Sequence, residues 1–304
     1  MSNGTILELD ALIRLRSTAR GLELGSRRRS LSAQAGGYLS AYRGRGMEFD
    51  EVRIYQPSDD ARTIDWRVTA RRGRPHTKLF REERERPVFI FVDLHPGMYF
   101  GSRVQYKSVL AGQIGALLGW AAVRAGDCVG GIISAAEGHQ EIHPAARAHG
   151  LLALLHGMVR LQPKRPGSLR HGHMDISLAR AVRLVLPGSL VVIISDFREM
   201  GGEGDKHLGV LARHNDVIAS FLFDPLEAAP PRAGRYQLGD RHQRLTLDTG
   251  SLSVAEQWTT QFQMHREKVR GHCQRHGIHY MEAATSDKVL RALQIGLIKH
   301  RSVN

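Results

Sequence analysis

The chain has 304 residues, of which 42% are hydrophobic and 24% charged, and this composition predicts a globular protein with one large domain and an accessory unit. Its two cysteines, Cys128 and Cys273, lie far apart in the chain with no CxxC partner, so the sequence signals neither a disulfide framework nor a cysteine zinc site. The formal net charge of +13 fits a nucleic acid, an anionic membrane or an acidic protein surface, and does not choose among these partners.

The N-terminal sequence lacks the features of an export signal. Acidic residues stand where a signal peptide has its basic region, and no apolar run follows them. The longest uncharged apolar stretch, residues 110–123, is too short to cross a bilayer and predicts a core helix. We therefore expect a cytoplasmic protein without a transmembrane segment.

The sequence of the first 86 residues predicts two small structural units, an N-terminal arm and a β-rich unit. Residues 8–24 have leucines interspersed with arginines and predict a helix, which makes residues 1–39 a helical, basic N-terminal arm. Residues 40–86 predict a small β-rich unit, because short β-like runs are separated by turn chemistry. These runs are residues 48–55, 65–71 and 76–80.

From Pro87 onward, apolar runs alternate with helical patterns. Five segments predict buried strands: residues 87–92, 128–134, 189–194, 217–223 and 278–281. Between and after them, helical spacing predicts helices that end near residues 126, 160, 186, 214, 276 and 297. This alternation predicts an α/β domain over residues 87–304, with a mainly parallel sheet and helices on both faces.

Three of the predicted strands end in an aspartate, namely Asp93, Asp196 and Asp224. Because ligands of open parallel sheets bind at the carboxyl ends of the strands, these carboxylates are candidate ligands for a cation such as Mg²⁺. The alternative is that each caps the turn or helix that follows it. For Asp224, which precedes Pro225, we predict the cap.

A dense motif in the β-rich unit resembles a known family. Residues 59–66 read Asp-Asp-x-Arg-x-Ile-Asp-Trp, and this run is similar to the "domain of unknown function 58" family, which joins such a segment to a von Willebrand factor A-like domain. The resemblance extends over about residues 40–300. It implies a Rossmann-like fold of von Willebrand factor A type for residues 87–304. Further matching residues are Lys107, Gly126, Asp127, Ser195, Asp196, His214, Asp224, Pro225, Glu227, Asp248 and Gly277.

The motif and its neighbours are predicted to be structural. Alternating acidic and basic side chains beside Ile64 suit a buried or half-buried ion-pair network, which would pack the unit 40–86 on the main domain. Direct contact with a partner is the alternative. The residues of this predicted network are Glu48, Arg53, Tyr55, Asp59, Asp60, Arg62, Asp65 and Trp66.

The resemblance also implies a metal-ion-dependent adhesion site, and the sequence departs from it. Von Willebrand A-like domains have Asp-x-Ser-x-Ser after the first strand, but here His95 and Gly97 replace the serines after Asp93. Met174 stands where a threonine is expected. Since the hydroxyl ligands are missing, we expect no Mg²⁺ and no other cofactor, although a softer metal stays open.

The resemblance implies a MoxR-type AAA ATPase as partner, in a chaperone-like or maturation role, and it identifies no client protein. We therefore predict a non-enzymatic protein-protein interaction adaptor. Its partner-binding edge would consist of Asp93, His95, Asp175 and Asp196, with His95 bonded directly to a carboxylate of the partner.

Two other functions are less favoured by the sequence. Nucleic-acid or anionic-surface binding would use the basic N-terminal arm, but acidic residues interleave with the basic ones there. A metal-dependent hydrolase would be built on Asp93 and Asp196, but the sequence has no evident nucleophile and base pair and no phosphate-binding loop motif. His171 and His173 lie in a basic stretch that is predicted as a solvated loop.

Overall fold

A computed structural model describes the chain over residues 4–24, 47–56, 64–82, 86–136, 138–167, 171–239 and 244–302. The chain divides into two compact units. The smaller unit is Leu31–Glu85, and the larger one consists of Met1–Ser30 and Arg86–Asn304.

The described residues of the smaller unit form two antiparallel strands and one helix. Strand β1 is Met47–Ile54, helix α2 is Trp66–Arg72 and strand β2 is His76–Glu82. The predicted strand at 65–71 is therefore wrong. The Asp65 side chain accepts hydrogen bonds from the backbone N–H groups of Arg67 and Val68, which caps the helix start, and Gly73 ends the helix at φ 69°.

The predicted ion-pair network is only partly covered by the described residues. Asp59, Asp60 and Arg62 lie outside them, so the network stays a prediction, as does the packing of this unit on the main domain. Trp66 stands at the start of α2 and is 70% exposed, so the smaller unit by itself does not bury this side chain. Asp65 acts as the helix cap.

The larger unit is built on a six-stranded sheet with the order β10-β7-β6-β3-β4-β5. All neighbouring strands are parallel except β4 and β5. The strands are β3 (Pro87–Leu94), β4 (Cys128–Ala135), β5 (Gly138–Ala145), β6 (Leu190–Ser195), β7 (Asp216–Phe223) and β10 (His279–Ala284). A separate hairpin consists of β8 (Arg235–Gly239) and β9 (Arg244–Asp248).

Helices cover both faces of this sheet. On one face, α1 (Leu9–Thr18), α3 (Lys107–Arg124), α4 (His149–Leu161) and α9 (Val289–Ser302) pack against side chains such as Val88, Ile90 and Val92. On the other face, α5 (His173–Leu184), α6 (Gly202–His214) and α8 (Leu252–Arg275) pack against Phe89 and Phe91. Successive β3 residues thus enter opposite cores. The predicted class, α/β with a mainly parallel sheet and helices on both faces, is confirmed.

The N-terminal segment is part of the larger unit. Leu7, Leu12 and Leu22 are buried in its core, and the Trp120 indole N–H donates to the Leu12 carbonyl at 3.1 Å. The prediction of a separate arm over residues 1–39 is therefore wrong for the described residues 4–24. Among the helices of the described residues, none has the length and apolar character needed to span a membrane.

The fold places several chain ends at one edge of the sheet. Strands β3, β6 and β7 end there, at Leu94, Ser195 and Phe223, and the short helix α7 (Pro225–Ala228) follows β7. Helices α3 and α5 begin at the same edge, because each leads the chain from the carboxyl edge back to the opposite end of the sheet, where the next parallel strand begins. The candidate site lies at this carboxyl edge.

Candidate functional site

Five charged or titratable side chains meet at the carboxyl edge and are called the charge cluster below. They are Asp93, His95, Lys107, Asp196 and Glu227. The first four are at most 2% exposed, and the Glu227 side chain is 13% exposed. Because isolated buried charges are costly, the stability of this arrangement depends on mutual pairing.

The His95 ring connects the two aspartates of the cluster. Its Nε2 lies 3.0 Å from Asp196 Oδ1 and 3.8 Å from Asp93 Oδ2, and its Nδ1 accepts a hydrogen bond from the Gly97 N–H at 3.0 Å. Burial alone would lower the pKa of His95, but the Asp93 and Asp196 carboxylates raise it above its usual value. Because Nδ1 accepts a hydrogen bond from Gly97, Nε2 carries the ring proton and donates the hydrogen bond to Asp196.

Lys107 is the buried cation of the cluster. Its Nζ donates to Asp196 Oδ2 at 2.7 Å and to Glu227 Oε1 at 2.8 Å. Burial alone would lower the pKa of Lys107, but the carboxylates of Asp196 and Glu227 raise it, so the ammonium form is retained. The other oxygen of Glu227 accepts from the Asp224 N–H in a capping box, which confirms the predicted capping role of Asp224.

Asp196 has the most partners in the cluster. Besides Lys107 and His95, it accepts from the Arg198 backbone N–H at 3.1 Å and faces the Arg198 guanidinium at 3.5 Å. Burial alone would raise the pKa of Asp196, but Lys107, His95 and Arg198 together lower it well below its usual value. Asp196 therefore stays ionised in the folded protein.

The depressed pKa of Asp196 predicts a specific loss of stability in acid. A carboxylate with a lower pKa in the folded chain stabilises the fold above its unfolded pKa of about 3.9, and this contribution is lost as pH falls toward the folded value. The advantage of the parent over Asp196→Asn in free energy of unfolding should be largest near pH 5, because Asp196 also raises the pKa of His95 and that contribution is lost at higher pH. Below about pH 4, this difference in free energy of unfolding should decrease by up to about 1.4 kcal/mol per pH unit. Urea denaturation of both proteins across this range is the measurement, and an unchanged difference in acid would contradict the prediction.

Asp93 is held by hydroxyl and imidazole groups. The Ser195 hydroxyl donates to Asp93 Oδ2 at 2.7 Å, and His173 Nε2 lies 3.3 Å from Asp93 Oδ1 and 3.2 Å from Ser134 Oγ. A hydrolytic triad uses the two ring nitrogens for the hydroxyl and the carboxylate separately, whereas here one nitrogen faces both. This serine, histidine and aspartate set therefore lacks the geometry of a nucleophile and its base.

The predicted solvated loop at 171–173 is half correct. The His171 side chain is 97% exposed and pairs with Glu199 at 2.6 Å. His173, in contrast, begins α5 and its side chain is 12% exposed against Asp93. Sequence reasoning missed His173 because its Asp93 and Ser134 partners come from distant strands.

The fold family implies a metal at this edge, and the residues present do not fit one. Potential ligand atoms of Asp93, His95 and Asp196 lie within 4.8 Å of one another. However, His95 Nε2 carries a proton whether the ring is neutral or charged, and has no lone pair for a metal. The Lys107 ammonium already binds Asp196 at 2.7 Å. These two features oppose a hard metal and a softer metal alike.

The predicted partner-binding edge is corrected by the burial of its members. The structure brings Asp93, His95 and Asp196 together, but at most 2% of each is exposed, so these side chains cannot contact a partner directly. Asp175 instead accepts a hydrogen bond from the Gly201 N–H at 2.8 Å.

The exposed part of the edge is the loop after β6. Phe197 and Glu199 have positive φ angles of 53° and 57°, a conformation that is costly for such residues and concentrates at functional sites. Between them, the Arg198 side chain is 52% exposed, and its Nη2 donates to Glu227 Oε1 at 2.9 Å. The loop thus holds Arg198 at the surface directly above the charge cluster.

A cleft of about 1010 Å³ lies beside Arg198 and is called the edge cleft. The α8 residues Val254, Trp258 and Phe262 form one wall, and Tyr99 and Phe100 line it from the loop after β3. The Trp258 indole N–H donates to the Leu226 carbonyl at 3.0 Å, which fixes α8 to α7. Sequence reasoning did not identify this cleft, because its walls come from segments that are distant in the chain.

A family model described as "Protein of unknown function DUF58" matches residues 51–268. "Uncharacterized protein Rv1480" of Mycobacterium tuberculosis (strain ATCC 25618 / H37Rv) is 28% identical over 237 residues, which are 75% of this chain and 71% of that protein.

Two solved structures with similarity to this chain have TM-scores below 0.5. "Conserved hypothetical protein BatB from Bacteroides thetaiotaomicron" has a TM-score of 0.41 and 14% identity, and the match covers 71% of this chain and 99% of that chain. "von Willebrand factor type A from Catenulispora acidiphila" has a TM-score of 0.38 and 9% identity, with 74% of this chain and 43% of that chain covered.

Proposed function

This chain belongs to the family of proteins of unknown function DUF58, and from that premise we propose that it is a non-enzymatic adaptor that binds a partner protein at the carboxyl edge of its sheet. One observation carries the proposal. Arg198 is exposed on a strained loop beside the edge cleft, while the reactive side chains beneath it are buried and paired with one another.

The arrangement of the charge cluster supports binding over catalysis. Asp93, His95, Lys107 and Asp196 are at most 2% exposed, so a substrate has no access to them in this conformation. A catalytic acid or base must come within hydrogen-bond reach of the group it serves. Buried pairs of this kind instead fix the positions of the loops that carry the exposed residues.

Arg198 and the edge cleft are the proposed contact. Exposed aromatic and arginine side chains in a concave site are the residue types that dominate protein interfaces. The Arg198 guanidinium has donors beyond those that bind Glu227 and Asp196, and it can bind a carboxylate of the partner. Trp258, Phe262 and Phe100 then contact apolar side chains beside that carboxylate.

The partner that the family resemblance implies is a MoxR-type AAA ATPase, and we propose a chaperone-like or maturation role beside it. The contact would form in the cytoplasm, in keeping with the localisation predicted from the sequence.

Arg198→Ala tests this proposal. Loss of one charge-assisted hydrogen bond of about 1.5–3 kcal/mol should weaken binding to the ATPase by about 10-fold or more. The dissociation constant, measured by calorimetry with the purified MoxR-type ATPase, is the readout. The matched control is Arg213→Ala, because Arg213 is an exposed arginine in the last turn of α6, at the opposite edge of the sheet. Equal affinity of the Arg198→Ala and Arg213→Ala proteins, or no binding by the parent, would refute the adaptor role at this edge.

A further inference from the structure

We infer that the ammonium group of Lys107 takes the place of a divalent cation at the carboxyl edge, so that the site is complete without metal. This inference goes beyond the adaptor role and does not depend on the identity of a partner. It concerns which cation neutralises the buried carboxylates that the fold brings together.

The position of Lys107 is unfavourable for the helix that carries it. Lys107 is the first residue of α3, and the N-terminus of a helix carries partial positive charge and disfavours cations. The first turn of α3 contains no acidic residue that compensates for this charge. Lys107 is also only 1% exposed, whereas lysine is almost never fully buried unless it is paired. Helix formation therefore does not explain this residue, and its carboxylate partners do.

The contacts of Lys107 are those of a bridging cation. Its Nζ lies 2.7 Å from Asp196 Oδ2 and 2.8 Å from Glu227 Oε1, so a single charge binds carboxylates that follow two different strands. Glu227 Oε1 also accepts from Arg198 at 2.9 Å. Lys107 thus connects the buried Asp196 to the carboxylate that holds the exposed Arg198.

Lys107 supplies the buried positive charge among the carboxylates of the cluster. The carboxylates of Asp93, Asp196 and Glu227 face the cations of Lys107 and Arg198 and the Nε2 proton of His95. Without Lys107, the carboxylates of Asp196 and Glu227 would face each other with no buried cation between them. A divalent cation would then be attracted to oxygen ligands that Lys107 now occupies.

The test compares the melting temperature of the full-length parent and of Lys107→Met with and without Mg²⁺ or Mn²⁺ at saturating concentration. The parent should show no shift with either ion. Lys107→Met should melt roughly 10 °C lower, because it leaves buried carboxylates unpaired, and Mn²⁺ or Mg²⁺ should raise its melting temperature by roughly 5 °C. Lys288→Met is the matched control, because Lys288 is exposed just before α9, and it should behave like the parent.

Two outcomes would overturn the inference: a metal-dependent shift of the parent, or a Lys107→Met protein that responds to these ions no more than the parent does. If Lys107→Met does not fold even with Mn²⁺, the double variant Lys107→Met/Asp196→Asn is used as the test instead. It removes one positive and one negative charge from the cluster. The inference requires this double variant to fold and to melt above the single variant. A double variant no more stable than Lys107→Met would refute it.

Discussion

Replacing Asp196 by alanine should lower the free energy of unfolding by about 3–5 kcal/mol. The substitution removes the carboxylate that binds Lys107 at 2.7 Å and His95 at 3.0 Å, and both partners are at most 1% exposed. Lys107 then has Glu227 as its remaining carboxylate partner, and one of its two buried ion pairs is broken in a low-dielectric environment, which is costly. Asp196→Ala should therefore rank among the most destabilising changes at this edge.

Denaturation by urea, followed by tryptophan fluorescence, measures this effect. Glu199→Ala is the control, because Glu199 lies three residues further along and pairs with the exposed His171, so its loss should cost less than about 1 kcal/mol. An Asp196→Ala protein as stable as Glu199→Ala would mean that the cluster does not stabilise the fold. The sequence alone placed His95 and Asp196 on the partner-binding edge. Their burial makes Arg198 the better position for a test of partner binding.

The main sheet was predictable because its signal is local. A parallel strand covered on both faces is a continuous apolar run, and β3, β6 and β7 have this pattern in the sequence. The helices between them have apolar residues at helical spacing. Since parallel strands need crossovers, the alternation of these two patterns determined the α/β class and the edge at which Asp93 and Asp196 meet.

Other elements have weaker or misleading local signals. Strand β5 reads Gly-His-Gln-Glu-Ile-His-Pro-Ala, and Ile142 is its buried hydrophobic residue, so this edge strand lacks an apolar run and was not predicted. Helix α2 was mistaken for a strand because its short apolar pattern fits both helical and strand periodicity. The N-cap of Asp65 and the left-handed conformation of Gly73 stabilise the helix instead. The segment 4–24 was taken for an arm because its arginines obscure the leucines that enter the core.

The sequence predicted the site residues that directly follow strands, but it did not predict the roles of the residues that come from other segments. Asp93 and Asp196 follow from the rule that ligands bind at carboxyl ends of parallel strands. Lys107 and Glu227 matched the family pattern, but their roles depend on a contact between residues 120 positions apart. One sequence signal was present for Lys107, namely a lysine at the start of an otherwise apolar helix, where a cation is unfavourable.

The second large effect is expected at Phe221, a core residue that supports one wall of the edge cleft. Its ring is 1% exposed and lies 5.7–6.3 Å from the rings of Phe223, Phe262, His265 and Tyr280. Phe262 and His265 belong to α8, so this aromatic group holds the wall of the cleft against the sheet. Phe221→Ala should lower the free energy of unfolding by about 3–5 kcal/mol, because it leaves a cavity beneath α8.

The same substitution should weaken partner binding even though Phe221 does not reach the surface, because α8 would no longer hold Trp258 and Phe262 in position. Phe100→Ala is the informative counterpart. Phe100 is 38% exposed at the rim of the cleft, so its loss should lower the free energy of unfolding by about 1–2 kcal/mol, less than Phe221→Ala, while still reducing affinity for the ATPase. Urea denaturation and calorimetry on both variants separate the two effects. If Phe221→Ala loses stability but both variants bind the ATPase as the parent does, α8 supports the core alone and the partner contact lies elsewhere on the molecule.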